Sequence, residues 1–425
     1  MAIGDIIVGV DIGTSKTSCI VGQVNKFNEI EVIGYGMSNC DGLKKGKIVD
    51  IGAVALSLKE SIQKSEDVSS LSINSVYVNA KGMNVRTERV IVETDVTFPD
   101  DGINVSDINN INYKAGLIVK LNKNEQIIDI LPIKYNLNDK TYKQEPIGSF
   151  CKTFEMEADV IIAKSEFTEP LIKTLKLANL KLDGIIIESL ATSSVVLMPE
   201  EKELGVLMVD IGAGHTDISV FKNNILEFYD TLPVGSNHIT NDISITFNIS
   251  YEEAEKLKKK YNLAIQAMIK EDHEIKLNTV TSADSPNIIK SSDVVRVIEA
   301  RIKEIYHIIK LSLDEKKLNN KIECMVLTGQ GISSIVGVEE LAMLILKINQ
   351  VRICVPKLIN IIKPQHTTAF GMVKYVSSLG TSKHVNSEVE IVTEESFKEK
   401  VTNTILNTKD KIRNIMSNIK NNDKE

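Results

Sequence analysis

The sequence contains no tryptophan, and only 5% of its 425 residues are aromatic. Its five cysteines form neither a CxxC pair nor a cluster with histidine, which argues against a disulfide framework and a structural zinc site. No apolar run approaches the roughly eighteen residues of a membrane-spanning helix, and acidic Asp5 argues against a secretory signal. The net charge of −7 argues against a protein that binds nucleic acid over its whole surface. The sequence therefore indicates a cytoplasmic protein whose cysteines are reduced thiols.

What the sequence does contain is typical of a soluble globular protein, with 43% hydrophobic and 25% charged residues. A chain of this length is long for one core, so two or more domains are predicted. Short apolar strands alternate with helix-like stretches in residues 1–83 and again from residue 206, which indicates an α/β layered fold. Between these halves, residues 84–163 are strand-rich and predict an inserted α+β subdomain.

The second half continues this pattern. Helices are predicted over residues 236–262 and 291–313, a loop over the polar stretch 270–290, and a strand over "IECMVLTG" (322–329). The polar, acidic stretch 377–396 is typical of a flexible linker. The predicted organisation is a first half of residues 1–83 and 164–205 with its insert 84–163, a second half of residues 206–235 and 311–376 with its insert 236–310, the linker 377–396, and an amphipathic helix 397–420.

Two distant segments, "VGVDIGTSKTSCIVGQV" (8–24) and "VLMVDIGAGHTDISVF" (206–221), repeat one strand–turn–strand pattern. They align in register: Asp11-Ile12-Gly13 with Asp210-Ile211-Gly212, and Thr17 with Thr216. A Gly/Thr turn lets backbone N–H groups and hydroxyls converge on a phosphate chain. The aspartate at each turn is suited to hold Mg²⁺ through its waters. Asp-Gly is also ordinary hairpin chemistry, but the pairing of two copies favours a phosphate clamp.

Two further motifs support a nucleotide site. "VLTGQG" (326–331) is a buried strand that ends in Gly-Gln-Gly ahead of a helix from Val338, so the glycines allow close approach of a ligand and the helix start offers donors. The spacing is not that of a Rossmann motif, and the sequence has no P-loop. In "SYEEAEKLKKKY" (250–261), Glu255 and Lys258 share a helix face and could flank a ribose or adenine, although an ordinary solvated face has the same pattern.

Together these motifs resemble those of the actin, Hsp70 and sugar-kinase superfamily. "DIGTSKT" and "DIGAGHTD" are similar to its phosphate motifs, and "VLTGQG" is similar to its adenosine motif, with Gln330 where three glycines often follow one another. Over nearly its whole length the chain resembles the bacterial cell-division FtsA family, including "IIDILPIKYNLNDKTYKQEPIG" (127–148) in the insert. The resemblance implies an α/β, actin-like duplicated fold with two nucleotide-clamping halves, each with an inserted subdomain, plus a C-terminal amphipathic helix.

The resemblance also implies the cofactors, ATP and Mg²⁺, and the residues that bind them. Those at the two phosphate loops are Asp11, Gly13, Thr14, Ser15 and Lys16, and Asp210, Gly212, Ala213, Gly214, His215 and Thr216. Glu255 and Lys258 are implied at the ribose and base, and Gly329 and Gly331 at the adenosine. Glu188 falls near the place where actin positions its hydrolytic water. Glu188 and Asp210 are therefore the candidate catalytic residues. Asp11 and Asp210 are the candidates for contacting Mg²⁺ through water. At most weak ATPase activity is implied.

The tail supports a membrane role. Residues 397–420 carry six basic and two acidic side chains, and one stripe of this segment holds Phe397, Val401, Ile405, Ile412, Ile415, Met416 and Ile419. A basic amphipathic helix of this kind binds an anionic membrane surface or a partner protein, or docks on its own protein. The resemblance implies filaments of the protein itself on the cytoplasmic face of the plasma membrane at the division site. It also implies binding of the FtsZ tail and of other division proteins, with no nucleic acid.

Three other functions share the nucleotide clamp. A metabolite kinase would need a catalytic carboxylate that faces a second substrate pocket, and nothing in the sequence marks one. A soluble assembly ATPase similar to the pilus protein PilM, or a chaperone-like reactivase, would leave the basic tail helix unexplained. An MreB-like shape factor is disfavoured by the insert at 84–163.

Overall fold

The computed structural model describes residues 4–27, 29–44, 46–277, 287–354 and 364–379, and these residues form two compact units. The larger unit holds the described residues up to Val85 and from Glu169 onward, and the smaller unit holds Arg86–Thr168. No helix within the described ranges combines the length and apolarity that crossing a bilayer requires. The predicted helix 397–420 lies outside the described residues. So does the predicted linker 377–396, except for its first residues, which belong to the end of a helix that runs to Ser378.

The elements are numbered in chain order. The strands are β1 (Ile6–Ile12), β2 (Lys16–Val24), β3 (Ile30–Asn39), β4 (Leu43–Lys44), β5 (Lys47–Ile48), β6 (Ser75–Ala80), β7 (Val85–Asp95), β8 (Glu125–Leu137), β9 (Lys140–Tyr142), β10 (Thr153–Lys164), β11 (Lys181–Ile187), β12 (Val206–Ile211), β13 (Thr216–Lys222), β14 (Ile225–Leu232), β15 (Glu274–Leu277), β16 (Asn287–Lys290), β17 (Cys324–Thr328) and β18 (Val351–Ile353). The helices are α1 (Ile51–Ser69), α2 (Val105–Ile118), α3 (Ser165–Leu177), α4 (Glu188–Val196), α5 (Pro199–Leu204), α6 (Ser236–Phe247), α7 (Tyr251–Lys260), α8 (Ser291–Glu315), α9 (Val338–Leu346) and α10 (Thr367–Ser378).

Two five-stranded sheets in the larger unit repeat one plan. Their strand orders are β11-β6-β1-β2-β3 and β14-β13-β12-β17-β18, the second read in the opposite direction. In each sheet the hairpin strands are antiparallel, with Ile12 opposite Thr17 and Ile211 opposite Thr216, and the next strand is parallel. β1, β2 and β12 are buried along most of their length, because helices cover the sheets. The predicted duplicated α/β fold is confirmed.

Local sequence signals set the ends of α1. The Asp50 carboxylate accepts the Ala53 N–H at 2.9 Å as an N-cap, and Ser70 ends the helix in the left-handed conformation at φ 58°. Val54, Leu58 and Ile62 recur at helical spacing and are buried. α1 therefore packs on the sheet that carries the first hairpin.

The second half differs from the prediction in two places. The helical stretch 236–262 is two helices, α6 and α7, because Asn248 adopts a left-handed φ of 52° and the Ser250 hydroxyl caps α7 by accepting the Glu253 N–H. The prediction of a loop at 270–290 is wrong where the structure describes it. β15 and β16 pair there, since alternate apolar residues such as Leu277 and Ile289 bury against the core of this half.

The smaller unit is a sheet of order β7-β10-β8-β9 with α2 packed against β8 and β10. Asn104 and Asp107 begin α2 with a capping box, in which each side chain accepts the other residue's backbone N–H. The core of this unit is apolar and includes Ile108, Ile111 and Phe154. Residues 86–168 therefore have a core of their own.

Candidate functional site

A cleft of about 550 Å³ opens in the larger unit, a volume within the usual range for small-molecule sites. The structure brings nearly all sequence-predicted site residues to this one cleft. Those that line it are Asp11, Gly13, Thr14, Ser15, Lys16, Glu188, Asp210, Gly212, Ala213, Gly214, His215, Glu255, Lys258, Gly329 and Gly331. Thr216 is not among the described lining residues.

The two hairpin turns form opposing walls of the cleft. Each turn is closed by the same backbone hydrogen bond, from Gly13 N to Lys16 O and from Gly212 N to His215 O, both at 2.9 Å. The turns meet where Thr14 Oγ1 lies 3.4 Å from His215 Nδ1. Two turns of one geometry thus face each other, which is the arrangement that a phosphate clamp requires.

The paired threonines of the repeat lie behind the turns. Thr216 Oγ1 donates to the Val234 carbonyl at 2.7 Å, and Thr17 Oγ1 accepts from Ser57 Oγ at 2.8 Å. Both threonines are fully buried. Their hydroxyls therefore fix the hairpins to the rest of each half, and the turn residues before them line the cleft.

The third Gly-rich turn packs directly on the second hairpin turn. Gly331 N donates to Ile211 O at 2.8 Å, and a Cβ at Gly331 would lie 2.6 Å from that same oxygen. Both glycines of this turn line the cleft, and they also pack closely on the second hairpin, where a Cβ at Gly329 would lie 2.3 Å from Asp210 Oδ1. The helix donors differ from expectation. Ser236 and Asn237 of α6 line the cleft, and no described lining residue belongs to α9.

Buried Lys258 and partly buried Glu255 form a polar cluster at the side of the cleft. Lys258 Nζ lies 2.7 Å from Glu255 Oε2 and donates to Thr240 Oγ1 at 2.7 Å, and Thr240 in turn donates to Glu255 at 2.6 Å. Burial raises the pKa of Glu255, but the hydrogen bonds from Lys258 and Thr240 outweigh burial and lower the pKa overall. The helix face predicted from sequence is therefore held rigidly, with both charges satisfied.

The floor of the cleft carries four carboxylates, from Asp11, Glu188, Asp210 and Asp217. The ammonium group of Lys81 lies among these four carboxylates. Its Nζ lies 2.7 Å from Glu188 Oε2 and 3.3 Å from Asp217 Oδ2. We refer to these four acids and Lys81 as the acidic floor.

Asn79 connects the acidic floor to the first hairpin. Its Nδ2 donates to Asp11 Oδ1 at 2.8 Å and to Glu188 Oε2 at 2.9 Å, and its Oδ1 accepts the Ile12 N–H at 2.9 Å. Sequence reasoning missed Asn79, Lys81 and Asp217. Asn79 and Lys81 could have been found only by predicting that β6 pairs in parallel with β1, because this pairing brings the polar end of β6 beside Asp11.

The balance of charge in the floor raises the pKa values of the two hairpin aspartates. Burial and the charge of Glu188 raise the pKa of Asp11 to about 7, and burial with Glu188 and Asp217 raises the pKa of Asp210 to about 8. Burial lowers the pKa of Lys16 to about 8. The charges of Lys81 and Lys16 lower the pKa of Asp11, and that of Lys81 lowers the pKa of Asp210, but burial and the neighbouring acids outweigh these lysines. Across the described ranges, no three His, Cys, Asp or Glu side chains converge as direct metal ligands.

These pKa values predict how stability depends on pH. Because the folded pKa values of Asp11 and Asp210 lie above the ordinary 3.8, the folded protein binds more protons than the unfolded chain between about pH 5 and 7. The free energy of unfolding of the nucleotide-free protein is therefore expected to fall by on the order of 2 kcal/mol from pH 5 to pH 7.5. Urea denaturation at both pH values measures this, with Asp210→Asn as the comparison that flattens the slope. Equal stability at both pH values would contradict the assignment.

Comparison with known proteins identifies the family. The family model for "Cell division protein FtsA" matches residues 207–371, and that for "SHS2 domain inserted in FTSA" matches residues 82–162. FtsA of Bacillus subtilis (strain 168) is 30% identical over 371 residues, which cover 87% of this chain and 83% of that protein. The chain belongs to the FtsA family. FtsA of Escherichia coli (strain K12) is 26% identical over 399 residues, which cover 91% of this chain and 93% of that protein.

Solved structures with low sequence identity show the same fold. A chain of the PilM-PilN type IV pilus biogenesis complex aligns with a TM-score of 0.59 and 16% identity, over 87% of this chain and 98% of that chain. MreB5 of Spiroplasma citri bound to ADP aligns with a TM-score of 0.52 and 14% identity, over 90% and 99% of the two chains. This member of the FtsA family therefore has an α/β, actin-like fold, and the resemblance stated from sequence is confirmed.

Proposed function

We propose that this protein is an ATP-binding, actin-like scaffold that polymerises on the inner face of the plasma membrane at the division site. There it would tether FtsZ, through the FtsZ C-terminal tail, and later division proteins. The observation that carries the proposal is the pair of identically closed turns, Gly13–Lys16 and Gly212–His215, that face each other across one cleft. Membership of a cell-division family supports the cellular role, and the ADP in the MreB5 structure supports a nucleotide as the ligand.

In this proposal the two turns bind the phosphate chain through backbone N–H groups and hydroxyls. Asp11 and Asp210 would hold Mg²⁺ through its waters, and the ion would supply positive charge to the phosphates. Glu255 and Lys258 fix the ribose and base side. Glu188 is the candidate group for orienting the attacking water, and Asn79 and Lys81 hold its carboxylate in place. Because Asn79 and Lys81 already occupy this carboxylate, slow ATP hydrolysis at most is proposed.

Membrane attachment is assigned to residues 397–420, on sequence alone. Basic side chains near an anionic surface each contribute about 1 kcal/mol, and buried apolar side chains add to this. A single helix of this length gives a reversible anchor. Many copies aligned in a filament raise the apparent affinity strongly, because each further helix binds at a high effective concentration. Membrane binding is therefore proposed to depend on nucleotide through polymerisation.

Co-sedimentation with anionic liposomes tests the proposal. We expect the full chain to pellet with liposomes more strongly with Mg-ATP than without, and a chain that ends at residue 396 to lose liposome binding while it keeps Mg-ATP binding. Neutral liposomes serve as the control, because they lack the charge that attracts the helix. Undiminished pelleting of the truncated chain would contradict the role of 397–420, and a nucleotide-independent result for the full chain would contradict coupling to polymerisation.

The structural likeness to the PilM-PilN complex favours a second candidate, a soluble assembly ATPase. That function needs nucleotide binding and a protein partner but no lipid. Mg-ATP binding without any liposome pelleting would favour it over the membrane scaffold. A metabolite kinase, the remaining alternative, would transfer phosphate to a small molecule, and assays with sugars separate it from both.

A further inference from the structure

We infer that Gln330 is a positioning residue that holds the Lys16 ammonium group over the phosphate-binding turns, and so sets the affinity of the cleft for the phosphate chain of its nucleotide. The observation is a hydrogen bond of 2.8 Å from Lys16 Nζ to Gln330 Oε1. It joins the first hairpin turn to the third Gly-rich turn, across the mouth of the cleft. The inference rests on the proposed nucleotide-binding function and assigns a role to a side chain that the function does not use.

Position 330 is the place in this turn where a side chain fits. Gly329 has a φ of 95°, and a Cβ there would lie 2.3 Å from Asp210 Oδ1. A Cβ at Gly331 would lie 2.6 Å from the carbonyl oxygens of Ile211 and Gly212. Both neighbours must therefore be glycine, because they pack on the second hairpin turn. Gln330 lies on the exposed side of the same turn, where its amide reaches the opposite wall.

Lys16 needs such a partner because competing carboxylates lie near it. Asp11 and Asp210 both attract its ammonium group electrostatically, and both line the same cleft. A lysine side chain also has high rotamer freedom, which costs free energy when a ligand must order it. The Gln330 hydrogen bond draws the ammonium toward the mouth of the cleft and restricts its rotamers before the ligand arrives.

The chemistry of the partner matters as much as its position. An amide oxygen accepts a hydrogen bond from an ammonium without cancelling its charge, so Lys16 keeps its full attraction for phosphate. A carboxylate at position 330 would neutralise Lys16 and repel the phosphate chain. Glutamine and glutamate have nearly the same shape, so Gln330→Glu changes the charge and leaves the packing as it is.

Calorimetric titration of the full chain with Mg-ATP and with adenosine tests the inference. Gln330→Gly is expected to weaken Mg-ATP binding about fivefold, the effect of losing one hydrogen bond that orders a charged group. Gln330→Glu is expected to weaken it about thirtyfold, because like charges then face each other. Adenosine, which has no phosphate, is expected to bind all three proteins within about twofold.

A double-mutant cycle with Lys16→Met separates positioning from a structural role. In that background Gln330→Gly is expected to have almost no further effect on Mg-ATP, because the group that Gln330 positions is gone. Equal or tighter Mg-ATP binding by Gln330→Gly would overturn the inference. An equal loss with adenosine, or full additivity with Lys16→Met, would overturn it as well. Failure of the unsubstituted protein to bind Mg-ATP would instead contradict the proposed function on which the inference rests.

Discussion

Replacement of Lys81 by methionine is expected to lower the free energy of unfolding by about 4 kcal/mol, the usual cost of removing one partner from a buried ion pair. The Lys81 side chain is 12% exposed, and its partners Glu188 and Asp217 are 10% and 8% exposed. Burial alone lowers the pKa of Lys81, but Asp217 and Glu188 outweigh burial and raise it, so the ammonium stays charged. Without that charge, the buried carboxylates of Glu188 and Asp217 lose the ammonium group that pairs with both of them. Urea denaturation at neutral pH measures the loss.

Two variants make this result specific. Lys59→Met removes an exposed lysine on α1 and is expected to change stability by less than about 0.5 kcal/mol. The double variant Lys81→Met with Glu188→Gln also removes one of the unpaired carboxylates. It is expected to recover part of the lost free energy of unfolding, because a neutral amide needs no counter-ion when it is buried. A loss below about 1 kcal/mol for Lys81→Met, or no recovery in the double variant, would show that solvent screens the floor.

The acidic floor also explains why the site is only partly visible in the sequence. The hairpins at Asp11 and Asp210 are local motifs, and each contains its strands, its turn and its acid within one short segment. Their repetition was therefore enough to predict that they face one another, and the cleft brings them together. The glycines of the third turn were found for the same reason, and both line the cleft.

Asn79 and Lys81 carry no local signature, because their role arises from the pairing of strands far apart in sequence, whereas Asp217 lies within the second hairpin, opposite Asp210. Asn79 and Lys81 stand beside Asp11 only because β6 runs parallel to β1. Asp217 reads as one more residue of a strand, yet its carboxylate accepts from Thr231 and pairs with Lys81. Sequence periodicity also missed the Asn248 break between α6 and α7, since a single left-handed residue does not interrupt the apolar pattern.

Replacement of Gly329 by alanine is expected to weaken Mg-ATP binding at least about thirtyfold, because the added methyl overpacks the contact with the second hairpin turn. Two causes act together. The φ of 95° is unfavourable for any residue with a Cβ. The added methyl would also lie 2.3 Å from Asp210 Oδ1 and 2.5 Å from Ile211 O, so the second hairpin turn must shift. Displacing Asp210 and that turn together disturbs both the metal side and the phosphate side of the proposed site.

Gly148 offers a matched control for the backbone part of this effect. Its φ is 81°, close to that of Gly329, but a Cβ there meets nothing within 4 Å, and it lies in the smaller unit. Gly148→Ala is therefore expected to cost only the backbone strain, about 1 kcal/mol of stability, and to leave Mg-ATP affinity unchanged. Calorimetric titration and urea denaturation of both variants separate the two causes. If Gly329→Ala bound Mg-ATP as tightly as Gly148→Ala does, the contact between the third turn and Asp210 would have no part in shaping the site. A loss of Mg-ATP affinity in Gly329→Ala alone assigns that contact to the nucleotide cleft, because the backbone strain is similar at the two positions.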